Sequence, residues 1–111
     1  MSEHYYHSPD LARFPEIGHN CPDLAQKFFD WYNAVFAEGA LSAREKSLIA
    51  LGVAHAVQCP YCIDAYSRDA LEKGADLDQL TEAVHVAAAI RGGASLVHGI
   101  QMRNQATNLG M

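Results

Sequence analysis

Strand signals are missing from this chain of 111 residues. No segment alternates apolar and polar residues over a useful length between turn clusters, which excludes a sheet-based fold. Runs of Lys or Arg are missing too, and the formal net charge is −5. That argues against a nucleic-acid surface or a patch for anionic membranes. No uninterrupted apolar stretch is long enough to cross a bilayer. The opening MSEHYYHSPD has neither a basic n-region nor an apolar h-region, so no signal peptide is expected and the expected compartment is the cytoplasm. Internal repeats, low-complexity tracts and linkers are absent, so one domain over residues 1–111 is expected. Cysteine is scarce, at three residues, and that scarcity makes its placement informative.

What is present is helical. Half the residues are hydrophobic and 19% are charged, a globular balance. The first ~20 residues read as a loose N-terminal arm (1–20) with at most a short helix around Pro9–Phe14. From Pro22, PDLAQKFFDWYNAVFAEG places Leu24, Phe28, Trp31 and Val35 on one stripe and stops at Gly39. Ser42 and Glu45 form a capping box ahead of the next helix. Pro60 ends or kinks that helix and opens another, which Gly74 stops. Asp76 and Gln79 form a second capping box, Gly92-Gly93 is expected to break or tightly pack the following helix, and ASLVHGIQMRNQAT closes the chain. The expected fold is an all-α single domain of about five helices. LDQLTEAVHVAAAI is apolar over most of its circumference. A small monomer does not bury such a helix easily, so a homo-oligomer held through the Leu80–Ala94 region is expected.

The chemistry gathers in HAVQCPYCIDAY. Cys59 and Cys62 sit one helical turn apart beside Pro60, at a helix mouth where N–H groups and the helix dipole support an anion. At least one thiol is therefore expected to have a depressed pKa. The pair points first to redox chemistry and second to a soft metal. On a continuous helix His55, Cys59, Cys62 and Tyr66 fall on one face. His55 is the expected general acid/base, and Tyr66 is expected to position the oxidant or the leaving oxygen. Zinc is the weaker reading: two Cys and His55 make three ligands with no evident fourth. No metal and no cofactor are expected. Cys21 reads as a lone thiol.

LSAREKSLIALGVAHAVQCPYCIDAYSRDALEKGAD resembles the core of the alkylhydroperoxidase D-like, or carboxymuconolactone decarboxylase, family, from about Leu41 to Ile90. The resemblance implies a helical fold assembling into trimers or hexamers. It also implies that Cys62 attacks a peroxide and Cys59 resolves the product. Redox members of the family place a His four residues after the second cysteine and a Glu twelve before the first. Those positions are Tyr66 and Ser47 here, so His55 is expected to take over the relay. REKSLIAL, AHAVQCPYCIDAY and HVAAAIRGGASLVHG are similar to a narrower peroxidase-like subgroup associated with arsenosugar biosynthesis. The decarboxylase branch typically lacks the cysteine pair, so CPYC argues against lactone decarboxylation.

These readings converge on a thiol-disulfide peroxidase, with a hydroperoxide as substrate and an external dithiol as reductant. The alternative is a dithiol binding protein for trivalent arsenic or another soft metal. An inert helical scaffold ranks third.

Overall fold

The computed structural model describes residues 6–110. They form a 3₁₀ helix, Ser8–Gly18, and four α-helices: α1 Pro22–Phe36, α2 Ala43–Ala56, α3 Pro60–Glu72 and α4 Leu77–Asn108. No strand occurs among the described residues, so the fold is all-α. No helix among them is long and apolar enough to cross a membrane.

Both predicted capping boxes are formed. Ser42 Oγ accepts the Glu45 N–H at 3.0 Å, while Glu45 Oε1 accepts the Ser42 N–H at 2.8 Å. Asp76 and Gln79 repeat the exchange at 2.9 and 3.0 Å. Helix C-termini are closed from a distance. Lys46 Nζ, on α2, donates to the carbonyls of Val35 and Ala37 at the end of α1, at 2.8 and 2.6 Å. Arg91, on α4, donates to the Ala56 carbonyl at the end of α2, at 2.8 Å. Cations there meet the negative end of each helix dipole. α2 packs against both α3 and α4, and Leu51, Ala70, Ala75 and Leu80 form the buried cluster between them.

Two expectations are corrected. Gly92-Gly93 does not interrupt the chain, and α4 runs unbroken over 32 residues. Nor do these glycines admit a neighbour within the chain: a Cβ added at either would meet nothing within 4 Å. The close approach between α2 and α4 is at Gly52, where a Cβ would stand 3.3 Å from the Ala83 carbonyl oxygen. The N-terminal arm is also more ordered than expected. Over Ser8–Gly18 it is a 3₁₀ helix packed on α1 and α3.

The turn between α2 and α3 sets up the site. α2 closes with Gln58 in the left-handed region at φ 58°. Gln58 N–H bonds to the His55 carbonyl, and Cys59 N–H reaches back to Ala54 at 3.0 Å. α3 ends on the same pattern, but with Gly74 at φ 93° in the left-handed position. A side chain in that conformation is strained by roughly 1–2 kcal/mol, which glycine avoids. Gln58→Gly is therefore expected to stabilise the protein by about 1 kcal/mol, read as a higher denaturant midpoint at unchanged slope.

Candidate active site

Cys59 is the N-cap of α3 and Pro60 its first residue, where the missing N–H is harmless. The two sulfurs stand 2.8 Å apart, and both thiols are free. Cys59 Sγ also accepts the Cys62 N–H at 3.4 Å. The helix mouth thus supports negative charge on Cys59, not on Cys62. The expectation of a depressed pKa does not hold for Cys62. Burial first, then the hydrogen bond and charge of the neighbouring Cys59, push its thiol up to about 11.

The pair opens onto a cleft of about 500 Å³. One wall comes from the 3₁₀ helix through Leu11, Phe14 and Ile17, and the other from α1 and α3 through Tyr32, Tyr61 and Tyr66. At the rim, Arg13 pairs with Glu16 at 3.0 Å and with Asp10 at 3.7 Å. Tyr61 donates to Asp10 at 3.5 Å, tying the 3₁₀ helix to α3. A second cleft of about 510 Å³ meets Cys62 and Tyr66 from the α2 side.

Three of the four predicted site residues therefore share one cleft: Cys59, Cys62 and Tyr66. His55 is not among the residues lining either cleft. The left-handed residue Gln58 breaks the helical register between His55 and Cys59. The His55 ring turns back onto its own helix, with Nδ1 2.9 Å from the Leu51 carbonyl. Among the described residues no group of three or more His, Cys, Asp or Glu is placed to hold a metal ion. Cys21 is exposed, at the N-cap of α1.

Sequence reasoning missed Tyr32. Its hydroxyl is hydrogen-bonded to that of Tyr66, across 34 positions of sequence. The Tyr32 ring packs on Phe28 and Phe36 at 5.5 and 5.0 Å, and Phe36 stacks on Tyr66 at 5.1 Å. Burial, followed by the charges of Cys62, Cys59 and Asp69, raises the Tyr32 pKa. Also missed was the partner of Ser47. This serine is fully buried and donates to the Asp69 carboxylate, which is paired as well with Lys73. Burial pushes the Asp69 carboxyl up, but the Lys73 and Ser47 hydrogen bonds outweigh it and hold it below the usual range. So where the resembled pattern has a glutamate on α2, a hydroxyl stands here, and a carboxylate reaches it from α3.

The site is thus a cysteine pair at a helix start, over a cleft walled by apolar and aromatic side chains of an all-α fold. The carboxymuconolactone decarboxylase family matches residues 22–102. The chain belongs to that family. The 3₁₀ helix that walls the cleft lies outside the matched region. An uncharacterized protein of the cox locus of Paracoccus denitrificans is 50% identical over 64 residues. That match spans 58% of this chain and 58% of the length of that curated relative. A crystal structure of a protein from Methanobacterium thermoautotrophicum is similar at a TM-score of 0.73 and 36% identity, over 76% of this chain and 94% of that one. A carboxymuconolactone decarboxylase family protein from Legionella pneumophila, solved in its apo form, is similar at a TM-score of 0.70 and 30% identity, over 82% of each chain.

Proposed function

We propose that this chain is a thiol-disulfide peroxidase whose Cys59 and Cys62 cycle between dithiol and disulfide. The observation that carries the reading is the pair of free sulfurs 2.8 Å apart at a cleft with volume enough for a small organic molecule. The Cys62 thiolate takes the terminal oxygen of a hydroperoxide. An S–O bond forms as the O–O bond breaks, the sulfur is oxidised by two electrons, and the alcohol leaves. Cys59 then attacks the sulfenic acid, forming the disulfide and releasing water. An external dithiol returns the two electrons. The hydrogen bond from Cys62 N–H helps Cys59 bear charge in the second step. The apolar wall of Leu11, Phe14 and Ile17 favours an organic hydroperoxide over hydrogen peroxide.

One equivalent of cumene hydroperoxide should convert the reduced protein to a form with a Cys59–Cys62 disulfide inside one chain. Mass spectrometry of non-reduced peptides reads this directly. Full alkylation of both thiols after treatment would end the redox reading.

A further inference from the structure

We infer that the paired hydroxyls of Tyr32 and Tyr66 are the proton donor of the reaction, delivering a proton to the oxygen that leaves when Cys62 is oxidised. The inference rests on the thiol-peroxidase reading. It assigns that chemistry to a residue on α1, 34 positions from its partner.

Breaking the O–O bond of an alkyl hydroperoxide expels an alkoxide, a strong base that needs a proton as it forms. The expected donor, His55, is not among the residues lining the thiol cleft and points back at Leu51. Tyr32 and Tyr66 do line it, together with both cysteines. A phenol is a poor base at neutral pH but keeps its proton to give, and burial beside the thiols strengthens that hold on Tyr32. The ring stack of Phe28, Tyr32, Phe36 and Tyr66 fixes both hydroxyls before substrate arrives.

The proton is replaced from the far side. The same two phenols line an adjoining cleft of about 260 Å³ with Phe36, Asp69 and Lys73. Lys73 is 37% exposed there, so solvent protons have access. Tyr32 and Tyr66 thus stand between the thiol cleft and one that carries an exposed lysine and its paired carboxylate. Per turnover the thiol proton of Cys62 goes to solvent, a phenol proton goes to the alkoxide, and a solvent proton restores the phenol. Asp69 is a positioning residue: held by Ser47 and Lys73, its fixed negative charge opposes loss of the phenol proton except to a strong base.

Leaving-group chemistry tests the assignment. Single-turnover disulfide formation is measured on the full chain with tert-butyl hydroperoxide, which expels an alkoxide, and with peracetic acid, which expels a carboxylate needing no proton at neutral pH. Tyr32→Phe and Tyr66→Phe should each slow the hydroperoxide reaction by about 100-fold, the scale of general acid catalysis. The peracid reaction should change only a few-fold, which also reports that the variants are folded. The double variant should be no slower than either single one, and His55→Gln should spare both reactions. Equal loss with both oxidants, or no loss, overturns the donor assignment alone, as does a hydroperoxide-selective loss in His55→Gln. A wild-type protein inert to both oxidants overturns the peroxidase reading beneath it.

Discussion

Cys62→Ser should abolish hydroperoxide turnover, while Cys59→Ser should stop after one oxidation and leave a trappable sulfenic acid on Cys62. Cys62 is the better-placed attacker because it meets two clefts, whereas Cys59 meets one of them. Cys59 is built to resolve: it stands 2.8 Å from Cys62 Sγ and holds the Cys62 N–H. Removing a nucleophile leaves nothing to accept the oxygen, so the loss should exceed about 10,000-fold, the upper end of what an acid/base group supplies. Dimedone labelling located by mass spectrometry is the measurement. A label on Cys59 in Cys62→Ser, with turnover retained, would reverse the roles.

The same thiol predicts the pH dependence. Cys62 is raised from 9.0 to about 11, so at neutral pH the sulfur carries a proton and only a small fraction is nucleophilic. That fraction grows about tenfold per pH unit until the pKa is reached. Single-turnover oxidation should therefore keep rising from pH 7 to about pH 10. A plateau by pH 8 would mean that the helix mouth outweighs burial at Cys62.

The contrast between expectation and structure at this thiol is instructive. A helix start and a cysteine pair are visible in CPYC, and both are present. What one strand of sequence does not display is how much protein covers the sulfur, or that Cys59 takes the N–H that would have supported Cys62. Local signals suffice wherever the cause is local: the Ser42–Glu45 and Asp76–Gln79 exchanges, the Pro60 start and the Gly74 stop. They misled where a local penalty is small. A glycine inside a helix costs about 1 kcal/mol, which Ala87, Ala88 and Ala89 and their helix-favouring neighbours absorb, so α4 continues through Gly92 and Gly93. Gln58 carries no turn signature, yet its left-handed φ decides that His55 leaves the face of Cys59 and Cys62. In the sequence Tyr32 is legible only as one more aromatic residue beside the apolar stripe of the first helix. Its partner Tyr66 is on another helix, and no spacing rule within one segment finds it.

Ile90→Arg should leave the chain monomeric, the largest structural effect expected of a single change here. The chain has a radius of gyration of 18.9 Å, against about 13 Å for a compact domain near this size. α4 explains the excess, since 32 residues span about 48 Å of helix. Beyond its contact with α2 it leaves Val86, Ile90, Leu96, Val97 and Ile100 more than half exposed. Val86 and Ile90 continue across a groove into Ile49 and Val53 of α2, a concave surface lined by apolar side chains and Gly52. Only six hydrophobic residues are buried in the described chain, four of them alanines. Covering one large aliphatic side chain is worth roughly 1.5–3 kcal/mol, so covering the exposed α4 stripe would add several kcal/mol. We propose that further copies of this chain cover it. An arginine at position 90 would then bring an unpaired charge into every copy of the contact, at several kcal/mol each. Light scattering at micromolar concentration should report the loss of assembly, with a fall in thermal midpoint beside it. A wild-type monomer under the same conditions would sink the proposal, as would an Ile90→Arg protein that assembles and melts like the parent.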